Sequence, residues 1–113
     1  MEEVKNITQE EVLEVIKNFP IEPTRNKVII TVNVDEVDPN NIDLSGNSFA
    51  QEQYVIAVGD YCKGLKTGQK VLLDIRKMEV PNSGGQIEID PIEVDGRIYA
   101  FINDGIIKAK DNR

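Results

Sequence analysis

QYVIAVGDYCKGLKTGQKVLL, residues 53–73, reads as two strands joined by a short polar excursion. Tyr54, Ile56 and Val58 alternate with Val55 and Ala57, the period of a strand with at least one buried face. Gly59 ends that strand, where the backbone must swing away. Lys66-Thr67-Gly68-Gln69 is a turn in which Gly68 is free to take a positive φ. Val71, Leu72 and Leu73 then resume a buried strand.

The same alternation extends to both sides. Over Lys27–Val34, Val28, Ile30, Val32 and Val34 face one way, and Lys27, Ile29, Thr31 and Asn33 the other. A long polar loop follows over Asp35–Asn47, with Pro39 and Gly46, longer than a hairpin connection requires. Downstream, Arg76–Val80 is expected to continue the third strand, Pro81-Asn82-Ser83-Gly84-Gly85 to turn, and Gln86–Ile89 to return. Asp95-Gly96 is a hairpin turn whose twist matches its flanking strands, Ile92–Val94 and Arg97–Ile102. Ile106–Ala109 is a last short strand.

At the front of the chain, Thr8-Gln9-Glu10-Glu11 is a capping box, with Ile7 and Val12 at the two staple positions. Val12, Val15, Ile16 and Phe19 share one helical face, while Glu10, Glu14 and Lys17 face away. Pro20 and Pro23 stop the helix, so the expected span is Thr8–Asn18. The fold class is therefore mostly β: one N-terminal α-helix, then a small β-barrel of short strands.

The chain has 113 residues, one domain's worth, with 40% apolar residues. Its net charge of −7 argues against sequence-independent nucleic-acid binding and against anionic membranes. No stretch has the apolar length of a membrane span, and Met1-Glu2-Glu3 does not begin a secretory signal, so a cytoplasmic protein is expected. A single cysteine, Cys62, rules out an intramolecular disulfide and fits a reducing compartment. The chain has no histidine, which removes the commonest general base and metal ligand. Neither catalytic residues nor a cofactor nor a metal is expected.

Taken in order, these pieces resemble a GroES-type co-chaperonin of the chaperonin-ten family. An apolar strand ending Ala57-Val58-Gly59, then Lys66-x-Gly68-x-Lys70-Val71-Leu72, is similar to the middle of that family. Lys27–Val32 resembles its first strand, and Ile42-Asp43-Leu44-Ser45-Gly46 stands where its mobile loop carries an apolar tripeptide. Asp95–Tyr99 and Asp104–Ala109 resemble the closing hairpin and last strand, so the likeness runs from Arg25 to Lys110. It implies a GroES-like barrel over residues 21–113 with a long loop at 35–50, and residues 1–20 as a helical extension foreign to the family.

The resemblance also implies a function. Ile42, Asp43 and Leu44 would dock in a groove of a partner chaperonin. Asp43 departs from the family, whose middle position is usually apolar. Subunits would join as a ring by pairing first and last strands, which puts Val28, Ile30, Ile106 and Ile107 at the subunit interface. A second reading leaves Ile42 and Leu44 tucked onto the barrel, in a structural ring or connector protein of a virus particle with no chaperonin partner. The added helix and Asp43 favour it.

Other constellations have plainer explanations. Asp35–Asn41 gathers oxygen ligands, but the spacing is not that of an EF-hand, so it reads as a solvated acidic loop. Gly84-Gly85 lacks the Lys-Ser/Thr and helix start of a phosphate cradle. Glu88, Asp90, Glu93 and Asp95 alternate with Ile87, Ile89, Ile92 and Val94. That marks the wet face of a sheet rather than the carboxylate pair of a glycosidase.

Overall fold

The computed structural model describes residues 6–34, 50–82 and 87–111. One helix, α1 (Gln9–Ile16), precedes β1 (Lys27–Thr31), β2 (Glu52–Val58), β3 (Lys70–Leu73), β4 (Asp90–Val94), β5 (Arg97–Asn103) and β6 (Ile107–Lys110). The strands form one antiparallel sheet in the order β4-β5-β1-β2-β3-β6, with β4 and β6 as its two edges. Among the described residues the fold is thus mostly β with one N-terminal helix, and the sheet does not close edge to edge.

α1 starts where the capping box places it. The Thr8 hydroxyl accepts the Glu11 N–H at 3.3 Å, and the Glu11 carboxylate accepts the Thr8 N–H at 3.3 Å. Each satisfies an amide that the first helical turn leaves without a partner. Ile7 and Val12 are both buried, completing the staple. Glu11 also forms an ion pair with Arg97 at the start of β5.

The sheet is apolar on both faces. Val28, Ile30, Val55, Val71, Leu73, Ala100 and Ile102 build an inner core, with Cys62 and Met78. Ile29, Ile56, Val94 and Tyr99 build an outer one with Ile7 and Val12, against which Val15, Ile16, Phe19 and Ile21 pack. The helical face read from the sequence therefore lies on this chain's own sheet. Phe19 meets Tyr99 edge to face, with ring centroids 5.2 Å apart. Leu13, at the rim of that face, is 47% exposed. Removing a side chain such as Val12 from water contributes about 2 kcal/mol.

Three features depart from the sequence expectation. First, Ile29 pairs with Ala57 but Ile30 with Val55, which leaves Ile56 as a bulge. The bulge reverses the alternation, so Val58 joins the inner core while Ile56 and Ala57 both face outward. Second, Ile75–Met78 is a 3-10 turn rather than a continued strand. Side chains three apart eclipse in that geometry, so Ile75 and Met78 both reach the inner core. Third, β1 is not an edge strand: β2 and β5 occupy its two sides. Val28 and Ile30, expected at a subunit interface, are fully buried and present no surface to a neighbour.

Gly59 marks a close backbone approach. A Cβ there would lie 2.3 Å from the Arg25 carbonyl oxygen. Arg25 is itself left-handed, with φ 57°, and its carbonyl accepts the Tyr61 N–H at 2.9 Å, so neither side can yield. Gly59→Ala is expected to lower stability by about 3 kcal/mol in urea unfolding, an overpacking effect.

The ion pair gives a pH dependence. The Arg97 guanidinium, followed by the Thr8 bonds, lowers the Glu11 pKa from its ordinary 4.5. A depressed carboxylate contributes stability that is present above 4.5 and lost as pH falls through the lowered value. Acid titration of the melting temperature should therefore fall more steeply below pH 4.5 in the wild type than in Glu11→Gln.

Candidate functional site

Ile42, Asp43 and Leu44 lie outside the described residues, which stop at Val34 and resume at Ala50. The base of that loop is described in full, and it is organised by one side chain. Gln53, at the start of β2, has no solvent exposure. Its Oε1 accepts the Thr31 hydroxyl at 2.7 Å and the Asn33 N–H at 2.8 Å. Its Nε2 donates to the Asn33 carbonyl at 2.9 Å and the Ala50 carbonyl at 2.8 Å. A primary amide has two donors and two acceptor positions, and all are used.

The partners are themselves held. The Ala50 N–H donates to the Asn33 carbonyl at 3.0 Å, closing the two stems on each other. The Thr31 hydroxyl oxygen accepts the Tyr54 N–H at 3.0 Å. On its other side, Asn33 pairs with the N-terminal segment. Its Oδ1 accepts the Ile7 N–H at 2.9 Å, and its Nδ2 donates to the Ile7 carbonyl at 3.1 Å. Asn6 answers in kind on Val34, donating to its carbonyl at 2.7 Å and accepting its N–H at 2.8 Å. Two asparagine side chains thus imitate strand partners. Among the described residues no buried side-chain polar atom lacks a hydrogen bond.

The chemistry of this arrangement is positional: it fixes where the chain leaves the sheet and where it returns. Sequence reasoning did not single out Gln53, Asn33 or Asn6. The available signal was a polar side chain at an inward position: Gln53 shares the parity of Val55, and Asn33 follows an otherwise apolar strand.

The remaining candidate residues fall elsewhere. Ile106 and Ile107 are half-buried against the inner core, and Ile107 begins the edge strand β6. Open grooves beside β6 are lined by Lys66, Lys70 and Lys110 on one side and by Lys63 and Lys108 on the other. At the opposite edge, Glu88, Asp90 and Glu93 are all exposed. Asp111 and Asp104 line the same two grooves, so the β6 edge carries both signs of charge with lysine in the majority. Cys62 is buried, with its thiol near the Lys27 and Arg25 carbonyls at 3.6 and 3.8 Å. Burial, reinforced by Asp104, pushes that thiol up despite the Gly59 backbone bond, so Lys63 does not activate it.

No protein-family model matches the sequence, and no curated protein matches it. Among the described residues no helix is long and apolar enough to cross a membrane, and no group of His, Cys, Asp and Glu is placed to hold a metal ion.

Gln53→Leu keeps the volume but strands the Thr31 hydroxyl, the Asn33 amide and the Ala50 carbonyl. Each buried orphan costs about 1–3 kcal/mol. The variant should lose about 3 kcal/mol or more in urea unfolding, whereas Gln69→Leu, on the 66–69 turn, should lose much less.

Proposed function

We propose that this chain is a GroES-type co-chaperonin, a small GroES-like barrel that assembles as a ring and closes a partner chaperonin by docking Ile42, Asp43 and Leu44. The observation that carries the reading is the loop base. The chain invests a fully satisfied buried amide in holding both stems of the long acidic segment at residues 35–49. A connection that only had to join two strands would need neither that length nor that anchor.

Two further facts support the assembly. The inner core draws side chains from β1, β2, β3, β5 and β6, as a curled sheet would, and the bulge in β2 adds twist. The sheet also keeps two edges, and closure into a ring would cover them. With β1 enclosed, the ring contact on this reading falls to β6 and the residue before it, through Ile106 and Ile107 and the exposed Lys108–Lys110. The role is mechanical, without catalytic residues or cofactor of its own; the partner supplies the ATPase.

Burying one isoleucine and one leucine contributes about 1.5–3 kcal/mol each, a weak contact once ordering is subtracted. A ring of such loops binds through multivalency. Ile42→Ser with Leu44→Ser should therefore leave the melting temperature and the oligomer, measured by light scattering, unchanged. It should abolish capture of a chaperonin in the presence of ATP. Asp43→Val should hold or raise affinity, because it restores an apolar tripeptide. The rival reading, a structural ring of a virus particle with the loop packed inward, forecasts the reverse. It expects a loss of several kcal/mol on the double substitution and no chaperonin capture by any variant.

A further inference from the structure

We infer that Asn6 and Asn33 are positioning residues for the docking loop, and that through them the N-terminal helix holds the loop base in place. The inference rests on the docking reading for its functional consequence, and on the hydrogen-bond geometry alone for the coupling.

α1 is attached to the outer face through Val12, which has no solvent exposure. Ile7, buried beside Val12, is the next fixed point. Both backbone groups of Ile7 bond the Asn33 side chain. Both backbone groups of Asn33 bond Gln53, and the Asn33 carbonyl also accepts the Ala50 N–H. Asn6 then fastens Val34, the last described residue before the loop, by a second two-bond clasp. The helix thus reaches the first stem through a buried apolar contact and two-bond amide clasps, and the second stem joins by single bonds, the Ala50 N–H on the Asn33 carbonyl and the Gln53 Nε2 on the Ala50 carbonyl. Loosening α1 removes the partners of Asn33 and Val34 together, whereas opening the loop stems removes the partners of Ile7 and Asn6. Such linkage is reciprocal.

A ligand that seizes the loop would gain from stems already held, since less chain must be ordered on binding. The helical extension then belongs to the docking apparatus rather than being an appendage. A helix that only covered the outer face would need Val12, Val15 and Ile16 but not the two asparagine clasps.

Amide hydrogen exchange followed residue by residue tests the coupling. Val12→Ala loosens the helix without touching the loop base. It should speed exchange at Val34 and Ala50 about tenfold while leaving β3 and β6 unchanged. Asn6→Ala, an exposed position, should do the same at Val34 with a melting temperature within a few degrees of wild type. Asn6→Asp keeps the acceptor for the Val34 N–H but not the donor, so it should fall between. In the docking arm, Asn6→Ala should weaken chaperonin binding several-fold. Faster exchange along α1 with none at Val34 and Ala50 would overturn the coupling. Unchanged affinity in Asn6→Ala would overturn the positioning role. A wild-type chain that binds no chaperonin would remove the docking reading, while the exchange results would still decide the coupling.

Discussion

A carboxamide that leaves water must take its hydrogen bonds with it, and Gln53 does so with none to spare. In an apolar interior each unmatched group of that amide would cost about 1–3 kcal/mol. Four partners must therefore arrive together: a hydroxyl from β1, both backbone groups of Asn33 and the carbonyl of Ala50. None is adjacent to Gln53 in sequence, and three lie on the far side of the long loop. Satisfying the amide means that β1 is in register, the loop stems are closed and the N-terminal segment has its docking surface. Polar groups of this kind contribute less to net stability than to excluding alternatives, because a slipped register would leave several of them unpaired at once.

The second constraint is that the sheet has no wet face at its centre. Val28, Ile29 and Ile30 are consecutive and all fully buried. A strand with one face in water shows apolar and polar residues in turn, whereas one covered on both sides reads as a continuous apolar run. The inner side is covered by Met78, Cys62 and the other strands, and the outer side by α1 and the stretch through Phe19 and Ile21. The helix is thus one wall of the outer core. Towards the edges this cover thins, and charge takes over: carboxylates along β4, lysines along β6. Charged edges of this kind suppress indiscriminate strand pairing.

Local chemistry was legible in the sequence and long-range chemistry was not. The capping box needs only Thr8 and Glu11, and it forms as spelled. Gly68 and Gly96 take φ of 82° and 80°, the left-handed geometry that their turns require. The strands around them also stand where alternation puts them. The bulge at Ile56 was hidden because its cause is the register with β1, not anything in β2 itself. The 3-10 turn at Ile75–Met78 carried a signal, two large apolar residues three apart, that a strand reading passes over. The interior place of β1 depends on β5, distant in the chain, so the edge position drawn from resemblance missed it. Ile42 and Leu44 stood out in the sequence as large apolar residues in a polar stretch, while the clasps between Asn6, Asn33, Gln53 and their partners did not. Asn6, Asn33 and Gln53 look like ordinary polar residues until the fold places them together.

The middle position of β1 also sets the tempo of folding. Its partner on one side, β2, follows after the long loop, but Val28 meets Ile102 on the other side, near the opposite end of the chain. The central ladder can be completed only after nearly the whole sequence is available, and closing so long a loop is slow compared with forming a helix or a hairpin. Until then an apolar run stands with one side unpaired. α1 carries its start signal in its own sequence and lies just ahead of β1 in the chain, so as it packs it can screen the outer face of that run. An element that at equilibrium is one wall of a core would then also shield its own neighbour in the chain while the sheet assembles.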